Sequence, residues 1–140
     1  MSYSADESYH IGRLKDRLRT PEVQAAFSVL FGWAETSSRL YIYPISRGAF
    51  SAVHLSTKRN ARHYADCEFG FKGASKHIRW YFRKPGFESG LFTTDLIRSH
   101  FECDINIKAS EMMVNIRTAS CAQKIIDFTE SRLSHKSCHP

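Results

Sequence analysis

At 140 residues, 42% hydrophobic and 24% charged, the chain has the make-up of one ordinary globular domain with a single core, and it is too apolar for wholesale disorder. No apolar run approaches the roughly 18 residues needed to cross a bilayer, and residues 1–7 lack the basic start and apolar stretch of a secretory signal, so a cytoplasmic location without membrane attachment is expected. The formal charge of +6 instead points to an anionic partner, because a localised positive field raises encounter rate and affinity for phosphate-rich surfaces.

The first third carries helical signals. Ser4 and Glu7 have capping-box spacing ahead of Ile11, Leu14 and Leu18. Thr20-Pro21-Glu22 restarts the pattern, with Thr20 as N-cap and Pro21 at the first helical position. Val23, Ala26, Phe27, Leu30 and Ala34 then mark the buried face of a second helix ending near Thr36. From Arg39 the period changes to two. Residues 40–45 and 50–57 read as strands joined by a turn at Arg47-Gly48, and Pro44 places the first at an edge or a bulge.

Residues 65–71 alternate Ala65, Cys67, Phe69 and Phe71 against Asp66, Glu68 and Gly70, which would put both acids outward. Residues 77–83 alternate Ile78, Trp80 and Phe82 against His77, Arg79, Tyr81 and Arg83. Both patterns fit half-buried antiparallel strands, linked by a loop over 72–76. Pro85-Gly86 ends the fourth strand, and Thr93 or Thr94 caps a short helix through Leu96, Ile97 and Phe101. A hairpin over 104–117 turns near Ser110, with Ile105, Ile107, Val114 and Ile116 as its apolar positions. Ser120 and Gln123 have capping-box spacing ahead of a last helix through Ala122, Ile125, Ile126, Thr129 and Leu133.

The resulting fold class is α+β: two N-terminal helices, a largely antiparallel sheet of about four to six strands, a short helix before the last hairpin and a C-terminal helix. One domain over 1–133 is expected, with a flexible tail over 134–140.

All of the net charge lies within residues 58–84. Lys58, Arg59, Arg62, Lys72, Lys76, Arg79, Arg83 and Lys84 stand there against Asp66 and Glu68, while basic and acidic residues balance elsewhere. Alternation sets His77, Arg79, Tyr81 and Arg83 in one row on the outward face of the fourth strand. Such a row can meet successive phosphates, and Tyr81 can stack on an unpaired base. Lys72, Lys76 and Lys84 widen the patch, and Lys58, Arg59 and Arg62 add a second basic edge. The same residues also suit an acidic protein surface, or plain solvation of a sheet face with pairing to Asp66 and Glu68.

Other chemistry finds less footing. The chain shows neither zinc-finger spacing, nor the signature of an RNA-recognition sheet, nor a glycine-rich phosphate loop. A winged-helix arrangement over 93–117 would expose mainly Arg98 and Ser99 for reading bases. Asp66, Glu68 and Lys72 invite comparison with metal-dependent nucleases, but Asp-x-Glu-x-x-x-Lys departs from the usual carboxylate-x-lysine ending. His54, His63 and His77 are candidate general bases without a determined partner. His135, Cys138 and His139, with Cys121 or Cys103, could ligate a soft metal but lack paired short spacings. The cysteines Cys67, Cys103, Cys121 and Cys138 are scattered, as fits reduced thiols, and of the candidate nucleophiles only Cys121 is expected at a helix N-terminus.

The expected function is therefore a small non-catalytic domain that binds nucleic acid through a basic sheet face and needs no cofactor or metal. The alternatives are an interaction module docking on an acidic protein, and a metal-dependent nuclease. A homodimer formed through Tyr41, Tyr43 or Met113 is a further possibility.

Overall fold

The computed structural model describes residues 3–47, 50–59 and 66–137. Two helices come first, and both start as their caps dictate. In α1 (Ala5–Asp16) the Ser4 hydroxyl accepts from the Glu7 amide at 3.0 Å while the Glu7 carboxylate accepts from the Ser4 amide at 2.9 Å. In α2 (Pro21–Thr36) the Thr20 hydroxyl accepts from the Val23 amide at 3.2 Å. Each such cap contributes about 1 kcal/mol to the helix it opens.

The strands are β1 (Tyr41–Arg47), β2 (Phe50–Ser56), β3 (Phe69–Gly73), β4 (Ile78–Phe82), β5 (Asp104–Asn106) and β6 (Glu111–Ile116). Together with α3 (Lys84–Glu88), α4 (Thr94–His100) and α5 (Ala119–Ser137) they make an α+β fold. Among the described residues all six strands form one sheet in the order β1-β2-β3-β4-β6-β5, with every neighbouring pair antiparallel. β1, with Pro44, lies at an edge, where a missing N–H costs least. The β1–β2 turn at Gly48 lies outside the described residues.

One face of this sheet carries the core. Phe69, Phe71, Ile78, Trp80, Phe82, Val114 and Ile116 point to it and pack against α2 and α5. Trp80 is fully buried at its centre, with ring centroids 5.6 Å from Phe69, 6.1 Å from Phe71 and 6.3 Å from Trp33 of α2. α4 adds Ile97, and Phe101 and Phe128 close the far side against Phe82 at 6.3 and 5.6 Å. No helix among the described residues is long and apolar enough to cross a membrane.

Several local expectations are corrected. The third strand begins at Phe69, and residue 65 lies outside the described residues. It runs on to Gly73, so Lys72 belongs to the ladder opposite Arg79 instead of to a loop. The turn after it is tight, closed by the Ala74 amide donating to the His77 carbonyl at 2.9 Å. Pro85 breaks the strand but does not start a loop: it sits in the first turn of α3, where a missing N–H leaves nothing unpaired. The last helix is capped by Thr118, whose hydroxyl accepts from the Cys121 amide at 3.2 Å, and it continues past Leu133 to Ser137. The 107–110 turn leaves Ile107 exposed, and Ser110 adopts φ 54° there. A winged-helix arrangement does not form, because β6 pairs with β4 within the main sheet and leaves no free wing.

Candidate functional site

Alternation sends Arg79 and Tyr81 to the face of the sheet opposite the helices, between the fully buried Ile78, Trp80 and Phe82. Lys72 joins them from β3 through its register with Arg79. The patch expected around β4, with Lys72, Lys76 and Lys84, nevertheless divides into two groups along the strand direction, and the second lies with Lys58 and Arg59 of the expected second edge. Lys72, Lys76, His77 and Arg79 lie toward the β3–β4 turn. Lys58, Arg59, Arg83 and Lys84 lie past the ends of β2 and β4, at the opposite end of the sheet. The five-residue strand β4 separates the two groups by roughly 13 Å. Arg62 lies outside the described residues.

At the β3–β4 turn a groove of about 590 Å³ is lined by Arg17, Arg19, Lys72, Gly73, Ala74, Ser75, His77, Arg79 and Tyr81. Arg17 and Arg19 are new to the site. They sit on the turn between α1 and α2, and a hydrogen bond from the Arg19 amide to the Ser75 carbonyl at 2.8 Å ties that turn to the hairpin. Gly73 permits the contact: a Cβ there would fall 2.9 Å from the Leu14 carbonyl oxygen and 3.1 Å from the Leu14 and Leu18 methyls. The close approach of α1 to the hairpin therefore places four permanent cations around one recess, with no carboxylate among the lining residues.

The cations are differently held. The Arg79 guanidinium donates to the Asn115 side-chain oxygen at 2.9 Å and to Asp104 at 3.0 Å, which fixes its plane. Asp104 is about two-thirds exposed, so solvent screens this pair and the link orients Arg79 more than it cancels its charge. The Lys72 ammonium lies 5.5 Å from the Tyr81 ring centroid. One face of Tyr81 is thus already occupied by a cation, and the exposed stacking platform expected from the sequence is half covered. Burial, helped by Arg117 and Arg79, pushes the His77 imidazole below its ordinary value of 6.5, so it is neutral at physiological pH. Burial also raises the Tyr81 phenol, which keeps it a hydrogen-bond donor.

Arg83 has a different role. Its side chain is mostly buried, with Nε donating to Glu111 at 2.9 Å and Nη1 to the Cys67 carbonyl at 3.1 Å. The acids that meet Arg79 and Arg83 are accordingly Asp104 and Glu111 of the last hairpin, not Asp66 and Glu68. Glu68 is turned inward, 3% exposed, and accepts from the Ser56 hydroxyl at 3.1 Å, the Thr57 amide at 3.2 Å and the Thr57 hydroxyl. Asp66 stays exposed, so the two carboxylates of the nuclease pattern do not share a face. Among the described residues no three His, Cys, Asp or Glu side chains cluster as metal ligands.

The remaining candidates are dispersed. Lys58 and Arg59 are exposed, and their carbonyls accept from the Tyr43 hydroxyl at 2.9 and 2.6 Å. Lys76 and Lys84 are exposed and do not line the groove. Cys67 is fully buried and its thiol is pushed up to about 12 by desolvation. Cys121, in the first turn of α5, is shifted down by its hydrogen bond with Thr118. His63, Cys138 and His139 lie outside the described residues. Of the proposed dimer contacts, Tyr41 is exposed while Met113 is buried, which removes the latter as a contact in the folded chain. Comparison with family models, with curated proteins and with solved structures yields no match to this chain.

Proposed function

We propose that this chain is a non-catalytic domain that binds nucleic acid, with phosphates entering the groove beside the β3–β4 turn. The observation that carries the proposal is the convergence of Arg17, Arg19, Lys72 and Arg79, from two separate parts of the chain, on a recess without acidic lining. Phosphate contacts of this kind supply most sequence-independent affinity. An acidic protein is the alternative partner, since the arginines and Tyr81 of the lining are also residue types that protein hot spots favour. Tyr9, Tyr41, Ile105 and Ile107, the large hydrophobic residues exposed among the described residues, lie outside the lining and would give such a partner no apolar anchor in the groove.

Salt titration of binding to a mixed pool of DNA and RNA tests the proposal. Four phosphate contacts predict a log-log slope of about −3 to −4. Lys72→Ala should flatten the slope by about one unit, as a lost phosphate contact does. Arg83→Ala should leave the slope alone and lower stability, because its guanidinium is spent on Glu111 and the Cys67 carbonyl. Binding that ignores salt would remove nucleic acid as the ligand, and a stoichiometric acidic protein partner that survives nuclease digestion would replace it with the protein-docking alternative.

A further inference from the structure

We infer that the groove selects single-stranded over double-stranded nucleic acid; this rests on the function proposed above and narrows it. The cationic lining comes from two separate parts of the chain. Arg17 and Arg19 come from the α1–α2 turn, and Lys72 and Arg79 from the sheet. The hairpin turn contributes Gly73, Ala74 and Ser75, whose side chains are no larger than a hydroxymethyl. A recess of about 590 Å³ with small residues at its hairpin side admits one extended strand. A duplex presents its phosphates on a convex surface with the bases paired inside. It can press on the rim of such a recess, but its stiff backbone cannot follow the lining from the α1–α2 turn to the sheet as a flexible single strand can.

The uncharged groups in the groove lead to the same preference. His77, Ser75 and Tyr81 supply hydrogen-bonding nitrogen and oxygen atoms among the cations. Groups of this type are matched by the Watson–Crick edges of bases, which a single strand offers freely and a duplex hides in its pairing. Asn115 and Asp104 hold the Arg79 guanidinium in one orientation, so less conformational freedom is lost at this side chain when a strand enters.

The experiment is fluorescence anisotropy with the full chain and a short labelled oligonucleotide, measured alone and annealed to its complement. At about 150 mM salt the single strand should bind at least about tenfold more tightly, with a log-log slope near −3 for four contacts on a single strand. Replacing both Arg17 and Arg19 by Ala should remove about 1.4 units of that slope. Lys72→Ala, in the sheet, should remove about 0.7 units and guards against a misfolded double variant. Equal affinity for the two forms, or a preference for the duplex, overturns the single-strand inference and leaves nucleic-acid binding standing. Failure to bind either form overturns nucleic-acid binding itself. Unchanged slopes in both variants, with binding intact, overturn the groove as the place where the strand lies.

Discussion

His54 should make the protein measurably acid-labile. It lies on the outer face of β2 in register with Tyr43 and Gly70, and a Cβ on Gly70 would fall only 3.1 Å from its ring. Burial, reinforced by Arg83 and Lys72, depresses its imidazole from 6.5 to about 3. The folded chain therefore holds it neutral, whereas the unfolded chain takes up a proton as the pH falls below 6.5. Stability from this group is complete above that value and is lost progressively until the folded imidazole titrates near 3. One proton of difference is worth about 1.4 kcal/mol per pH unit, so going from about pH 8 to about pH 4.5 should cost about 2.7 kcal/mol through His54 alone. The carboxylates titrate over the same range, but a His54→Gln variant carries them equally. Urea unfolding of both proteins, followed by the fluorescence of Trp33 and Trp80, isolates the histidine. The wild-type curve should fall relative to the variant by that amount. A wild-type-minus-variant difference that stays constant with pH, or an imidazole resonance titrating near 6, would refute the burial argument.

Gly73→Ala should lower stability by about 1 to 3 kcal/mol, because the added methyl meets a backbone carbonyl that cannot rotate away. It should also weaken oligonucleotide binding, since it displaces the turn that bears Arg17 and Arg19. Gly12→Ala in α1 is the control: nothing lies within 4 Å of its Cβ, and thermal melts should show it neutral or stabilised by up to about 1 kcal/mol with binding unchanged. Maleimide labelling with peptide mapping at neutral pH should modify Cys121 well before Cys67, because the first thiol is shifted down and the second is buried and raised to about 12. Equal rates in the native protein would contradict both assignments.

The starts of α1 and α2 were legible because their signals are local, whereas α3 went unread and α5 is capped by Thr118 instead of Ser120. Ser4 with Glu7, and Thr20 with Pro21, announce two starts that the structure keeps, and the apolar periods after them name the buried residues of α2. The inward face of β4 was legible for the same reason, since alternation over five residues suffices to separate Ile78, Trp80 and Phe82 from Arg79 and Tyr81. Glu68 was misplaced because alternation was carried back beyond the strand's first residue, Phe69, into a segment that turns its carboxylate onto Ser56 and Thr57. Arg17 and Arg19 were overlooked because the whole-chain charge count balances outside residues 58–84. The cluster Arg13, Lys15, Arg17 and Arg19 against Asp16 was the signal that a finer count would have caught.

By itself, then, the sequence determined the α+β class, the caps of α1 and α2, the face that β4 buries and the turning of Arg79 and Tyr81 away from the core. Each of those depends on residues a few positions apart. Only the tertiary structure decided which charges meet. Pairing β6 with β4 brought Asn115 and Asp104 to Arg79 and Glu111 to Arg83. Docking α1 against Gly73 carried Arg17 and Arg19 to Lys72 and Arg79. Those encounters join segments dozens of residues apart, where local periodicity carries no information and the packing of the whole core sets the outcome.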